Sequence, residues 1–112
     1  MKLKLMHYAV LILVVVAMSG IVTIARGDDA KSIEVKVDNY TFAPATLTVQ
    51  VNTTVTWVNL DDVPHTIVSN DGVFKSKALD TDDKYSFTFT KSGTYAYYCG
   101  VHPRMTGKIV VE

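Results

Sequence analysis

The stretch Tyr95-Ala-Tyr-Tyr-Cys99-Gly-Val-His102-Pro-Arg-Met105 decides how the rest of the chain is interpreted. It offers a thiolate, an imidazole and a thioether at steps of three residues. After the apolar N-terminal segment, this cysteine and this methionine have no second copy, and His65 is the one other histidine. Because three candidate metal donors lie in one short loop, residues that are close together in sequence would form most of the metal site. A fourth donor has to come from elsewhere in the chain, and His65 is the candidate.

The residues before this loop alternate like a β-strand. Side chains in a strand point to opposite faces in turn, so Tyr95, Tyr97 and Cys99 share one face. We therefore expect Cys99 to end its strand pointing inward, where a bound metal is shielded from water. Gly100 and Val101 then turn the chain, which lets the next imidazole return toward the same point.

From Ser32 onward, short segments of alternating or β-branched residues are separated by turn residues. Regular short strands of this kind are typical of a sandwich or barrel, so we predict an all-β fold. No internal repeat or long linker divides the chain. The predicted strands are residues 33–37, 40–42, 46–51, 54–59, 65–69, 85–89, 94–99 and 107–112. The predicted core aromatics are Phe42, Trp57, Phe87, Phe89, Tyr95 and Tyr97.

Residues 1–27 have a different character from the rest. Two lysines in the first four residues precede an uncharged apolar run over residues 5–25, and small residues follow near Gly27. This is the layout of a secretory signal, cleaved after Ala25 or Gly27. An uncleaved membrane anchor is the alternative, because about 20 apolar residues span a bilayer. In both cases we expect a domain over residues 28–112 that lies outside the cytoplasm, for example in the periplasm.

The charge and the cysteine content of residues 28–112 limit the classes of function. Eight basic and eleven acidic residues give a net charge of −3, which disfavours nucleic-acid binding. A single cysteine in an exported chain forms no internal disulfide. Because a free thiol is easily oxidised there, a metal-bound Cys99 is the simpler interpretation.

The chemistry of the candidate donors favours copper over zinc. Zinc sites prefer cysteine, histidine and carboxylate ligands, whereas a thioether is a soft ligand that suits copper. Two imidazoles, a thiolate and a weakly bound thioether form the ligand set of blue-copper electron-transfer sites. We therefore predict one copper ion held by His65, Cys99, His102 and Met105.

The sequence resembles a known family at Pro64-His65 and through the long stretch from Gly93 to Glu112. Over residues 32–112 it is similar to the cupredoxins, the small blue copper proteins, and its short ligand loop resembles the amicyanin type. The resemblance implies a Greek-key β-sandwich with type 1 copper at one end. It also implies that His65, Cys99 and His102 are equatorial ligands and that Met105 is axial.

The same resemblance implies that His102 reaches the surface and serves as the electron port. The apolar patch around it would include Gly100, Val101 and Pro103. Two residues depart from the family pattern. Thr66 stands where many members have asparagine, and Arg104 puts a positive charge in the patch.

Our leading functional hypothesis is an exported, monomeric carrier that passes single electrons between redox partner proteins docking transiently at His102. The alternative is copper handling outside the cytoplasm, by delivery or buffering. Enzymatic copper chemistry that uses a second cluster needs more histidines than this chain has, so we predict that the protein is not an enzyme. Two acidic clusters, Asp61-Asp62 and residues 80–83, are either solvated loops or a steering surface for a basic partner.

Overall fold

A computed structural model describes residues 31–112, which form eight β-strands and no helix. The prediction of an all-β domain with about eight short strands is confirmed. The N-terminal segment, predicted to be a signal or an anchor helix, lies outside the described residues. Within residues 31–112, no helix is long and apolar enough to cross a membrane. The strands are β1 (Lys31–Asp38), β2 (Thr41–Ala43), β3 (Thr46–Val49), β4 (Thr53–Asn59), β5 (Val68–Ser69), β6 (Lys84–Phe89), β7 (Gly93–Tyr98) and β8 (Thr106–Val111).

The strands form two four-stranded sheets. One has the order β2-β1-β4-β6 and the other the order β3-β8-β7-β5. The pairs β1–β4 and β3–β8 are parallel, and the other pairs are antiparallel. The chain therefore passes repeatedly from one sheet to the other. The two sheets do not join into one closed barrel, so the sandwich prediction is confirmed and the barrel alternative is wrong.

The core lies between the two sheets and follows from the alternation of the strands. In β4, Val55 and Trp57 are fully buried, and in β1 the same holds for Val35 and Val37. The ring of Trp57 meets that of Tyr97 from the opposite sheet at 5.4 Å and 82°, a favourable edge-to-face geometry. Of the six predicted core aromatics four are buried, whereas Phe87 and Tyr95 are only partly buried and pack against the core.

The segment after β4 differs from the prediction. Residues 65–69 were expected to form a strand that begins with His65, but β5 contains only Val68 and Ser69. His65 instead lies in an isolated β-bridge with Leu79, with backbone N···O distances of 3.1 and 2.8 Å. The backbone N–H groups of residues 66 and 67 point to side chains instead of to a neighbouring strand, so the ladder does not continue from this bridge into β5. This bridge brings His65 to the end of the sandwich where β7 ends.

Candidate metal centre

Cys99 lies directly after β7 and is fully buried, as the alternation of that strand predicts. Its backbone N–H donates to the carbonyl of Met105 at 3.0 Å. The backbone N–H of Met105 in turn donates to the carbonyl of His102 at 2.9 Å. These two bonds close residues 99–105 into a compact loop, so three candidate donors are fixed by local hydrogen bonding.

His65 and His102 direct the same ring atom toward the cysteine. The Nδ1 atom of His65 lies 3.7 Å from the Sγ atom of Cys99, and the Nδ1 atom of His102 lies 3.9 Å from it. The three donor atoms lie within 4.8 Å of one another. The structure therefore brings together one thiolate and two imidazoles from two separate segments of the chain.

Met105, the fourth predicted donor, belongs to the same loop. It is only 7% exposed, although the residue before it, Arg104, is exposed. Its backbone bonds to Cys99 and to His102 place it beside the other two donors of the loop. Met105 is thus a candidate fourth ligand.

Asp61 holds the imidazole of His65 from the side away from the cysteine. Its carboxylate accepts a hydrogen bond from Nε2 of His65 at 2.8 Å, and two more from the backbone N–H groups of Asn39 and Tyr40 at 2.6 and 2.9 Å. With the proton on Nε2, the Nδ1 lone pair is free for a metal. Burial opposes ionisation of Asp61, but these three hydrogen bonds lower its pKa below the usual value.

Asn59, at the end of β4, fixes the loop that carries Asp61. It is fully buried, and its side-chain amide donates to the carbonyls of Val63 and Leu79 at 2.9 and 2.8 Å. Its side-chain oxygen accepts a bond from the backbone N–H of Asp61 at 2.9 Å. A buried amide with these partners satisfied gives the loop one defined conformation.

Thr66 joins the two segments that carry donors. Its backbone N–H points to the sulfur of Cys99 at 3.4 Å, and its hydroxyl accepts a bond from the backbone N–H of Gly100 at 2.7 Å. Burial raises the pKa of the Cys99 thiol. Hydrogen bonds to the sulfur, the largest of them from the backbone N–H of Thr66, outweigh that effect and lower the pKa to about 6. At neutral pH the sulfur is therefore mostly a thiolate, the form that binds metals.

The loop that follows Cys99 also forms part of the surface. Val101 is 51% exposed, Pro103 and Arg104 are exposed, and His102 is partly buried between them. On the other side of the two imidazoles lies Tyr40, which is 46% exposed. One edge of the His102 site is thus open to contact with another molecule.

Two residues of this site, Asp61 and Tyr40, are not among the candidate site residues that the sequence predicts. The sequence places Asp61 only in an acidic loop. The signal that points to it is that a histidine ligand commonly donates its second N–H to a carboxylate. Tyr40 was assigned only to a strand, and no signal in the sequence links it to the histidines.

The donors fit copper. A buried cysteine sulfur and two imidazoles whose Nδ1 atoms face it, with a buried methionine in the same loop, are soft or borderline ligands, and no carboxylate lies among them. The fold and the site together define a small β-sandwich protein with a cysteine-centred site for one copper ion.

The chain belongs to the cupredoxin-like family. A family model described as a cupredoxin-like domain matches residues 9–111. Amicyanin from Paracoccus denitrificans is 42% identical over 71 residues, a match that covers 59% of this chain and 54% of amicyanin. Amicyanin-alpha from Methylorubrum extorquens is 38% identical over 88 residues and covers 74% of each chain.

A solved structure of a Cu(I) amicyanin variant superposes on this chain with a TM-score of 0.69. The two are 37% identical, and the match covers 72% of this chain and 82% of the amicyanin. Family, fold and donor set therefore agree on a cupredoxin domain with residues placed to hold one copper ion.

Proposed function

We propose that this chain is an exported type 1 blue copper protein that passes single electrons between redox partners. The observation that carries the proposal is the meeting of His65, Cys99 and His102, with donor atoms within 4.8 Å of one another. We assign these three residues as equatorial ligands and Met105 as the axial one. A bound copper ion would supply one-electron chemistry by alternating between Cu(II) and Cu(I).

The residues around the site perform the protein's part of this function. Asp61 keeps Nδ1 of His65 available, and Thr66 holds the sulfur of Cys99 in place. Burial of His65 and Cys99 excludes water from most of the site. A site whose ligands are held before the metal arrives changes little between two oxidation states, and this keeps the barrier to electron transfer low.

His102 is the proposed electron port. It is the one candidate ligand that is only partly buried, and the exposed residues Val101 and Pro103 adjoin it. A small, mostly apolar contact surface suits partners that dock transiently and leave. We propose that the protein acts as a monomer in such encounters.

Residues 1–27 are proposed to export the domain, as a cleaved signal or as an anchor. The mass of the purified protein tests this directly, since cleavage leaves a chain that begins at Arg26 or Asp28. An intact N-terminus in the membrane fraction would identify an anchor. Recovery of the intact chain from the cytoplasm would contradict export.

The experiment that tests the function is a visible absorption spectrum. One equivalent of Cu(II) should produce an intense thiolate-to-copper band that ascorbate bleaches and reoxidation restores. Cys99→Ser should abolish the band, whereas Ser32→Ala, far from the site on β1, should keep it. If copper binds without the band and passes readily to a chelator, the protein handles copper rather than carrying electrons.

A further inference from the structure

Tyr40 contacts both imidazoles of the site although it is none of the four candidate donors. Its ring centroid lies 5.4 Å from that of His65 and 5.0 Å from that of His102. The ring stands nearly perpendicular to each of them, at 89° and 87°. Perpendicular contacts are a favoured geometry for aromatic pairs. One ring therefore limits the rotation of two imidazoles at the same time.

The backbone at Tyr40 has an unusual conformation. Asn39 and Tyr40 have φ angles of 54° and 61°, in the left-handed region that a residue with a large side chain rarely adopts. Such a conformation persists only where the surroundings fix it. Here both backbone N–H groups donate to the carboxylate of Asp61, which also accepts the bond from His65. One carboxylate thus fixes the imidazole and the aromatic residue that packs against it.

Filling of the core does not explain this arrangement. Tyr40 is 46% exposed, whereas the buried aromatics Phe42 and Tyr97 are at most 3% exposed. Its ring pairs with the two histidines at the end of the sandwich, and it does not belong to the cluster of core side chains between the sheets.

We propose that Tyr40 is a positioning residue for the imidazoles of His65 and His102. Its ring, whose backbone is held through Asp61, keeps both Nδ1 atoms directed toward the sulfur of Cys99. This inference rests on the proposed copper site. It adds to that site a residue that is not a ligand but that helps the site to retain copper.

The test compares copper release and absorption in protein purified from cells that express the full chain. The variants are Tyr40→Ala, Tyr40→Phe and, as a control, Tyr95→Ala. Tyr95 is a partly buried ring toward the end of β7 away from Cys99, where its hydroxyl donates to the carbonyl of Lys91. A Cu(I) chelator removes the metal from the reduced protein, and the visible spectrum is recorded for the oxidised protein.

We expect Tyr40→Ala to release Cu(I) roughly 10-fold faster than the wild type, the scale typical of residues that orient metal ligands. Its absorption band should also shift. Tyr40→Phe should match the wild type, because the ring remains. Tyr95→Ala should release copper at the wild-type rate with an unshifted band.

Several results would overturn the inference. One is a folded Tyr40→Ala protein with the wild-type release rate and spectrum. Another is a Tyr40→Phe protein that behaves like Tyr40→Ala, because the ring would then not be the cause. A third is equal acceleration of copper release by Tyr95→Ala, which would indicate a general loss of rigidity in the domain.

If Tyr40→Ala does not fold, Tyr40→Leu replaces it under the same criteria. A wild type that takes up no copper contradicts the proposed function itself, so the two failures are distinguishable.

Discussion

The hydroxyl of Thr66 accepts a hydrogen bond from the backbone N–H of Gly100 at 2.7 Å. Thr66 directly follows His65, and Gly100 directly follows Cys99, so this bond connects the two buried donors through their neighbours. The space there is limited, since a Cβ atom on Gly100 would lie 2.9 Å from the Thr66 oxygen. The threonine, which departs from the family's usual asparagine, therefore still joins the two ligand segments.

Replacing Thr66 by valine should weaken this connection. Thr66→Val keeps the shape of the side chain and removes the acceptor, so we expect a loss of about 1 kcal/mol in the free energy of unfolding of the copper-free protein. Urea denaturation measures it. Thr66→Ser, which keeps the hydroxyl, is the matched control and should retain most of the stability. Equal stability of the valine variant and the wild type would mean that water replaces the bond at no cost.

Removing the charge of Asp61 should weaken both the loop and the metal site. Asp61→Asn leaves one acceptor oxygen for three donors, so we expect copper affinity to fall by roughly 10- to 100-fold. Competition with a chelator measures the affinity. Asp62→Asn removes the same charge at the exposed neighbouring position and should leave affinity unchanged. Equal losses in both variants would mean that net charge, not the bond to His65, is responsible.

Most of the fold could be predicted from the alternation of apolar and polar residues along the strands. Alternation along β7 placed Tyr97 and Cys99 on the inward face, and both are buried. It worked because one face of the strand is covered by the other sheet, so register and burial are linked. The choice between a sandwich and a closed barrel depends on pairing between distant strands, which no single strand reveals.

The surroundings of the site were harder to predict, because they depend on contacts between loops. His65 was expected to begin a strand, but Leu79 pairs with it alone, and Asn59 orders the loop before it. Tyr40 reaches the histidines through a turn held by Asp61, which is 21 residues away in sequence. Turns with side-chain hydrogen bonds across such separations leave no periodic pattern.

The copper-free protein should depend on pH through Cys99. Burial raises the pKa of its thiol, but hydrogen bonds to the sulfur, the largest of them from the backbone N–H of Thr66, bring the pKa to about 6, below the ordinary value of 9.0. The folded state thus binds the proton more weakly than the unfolded state does. The resulting stabilisation is full above the unfolded pKa and is lost as pH falls through about 6.

Ultraviolet absorbance of the thiolate, followed against pH, measures this pKa directly. The folded copper-free protein should titrate near pH 6, and the protein in denaturant near the ordinary value. Thermal unfolding of wild type and Cys99→Ser provides the second measurement, because only the wild type should gain stability from this group as pH rises. A thiol that titrates at its ordinary value in the folded protein would contradict the prediction.

We expect Met105 to affect the reduction potential of the site more than its colour. Met105→Ala removes the proposed axial ligand and leaves Cys99, so we expect the thiolate-to-copper band to remain and the potential to shift. The side chain is also buried, and its truncation should cost about 2–5 kcal/mol in stability. Met105→Leu separates the two effects, since it should shift the potential while keeping most of the packing. An unshifted potential in both variants would exclude Met105 as a ligand.

The two acidic loops form one edge beside the proposed copper site. The hydroxyl of Thr81 donates to the carbonyl of Asp61 at 2.6 Å, and the backbone N–H of Asp82 donates to the carbonyl of Asn59 at 2.7 Å. Asp62 and Asp80, which are far apart in sequence, are therefore exposed on adjacent loops near His65. A negative edge near the proposed electron port would steer cationic partners toward it.

Charge reversal tests this steering with small redox reagents in place of a protein partner. In the double variant Asp62→Lys with Asp80→Lys, oxidation of the reduced protein by a cationic cobalt(III) complex should slow about 10-fold at low salt, and oxidation by ferricyanide should accelerate. Both effects should shrink at about 0.1 M salt, where the screening length is about 10 Å. Asp71→Lys with Glu112→Lys changes the net charge equally at two exposed positions outside these loops and should have a smaller effect. Unchanged rates at low salt would mean that these aspartates are only solvated loop residues.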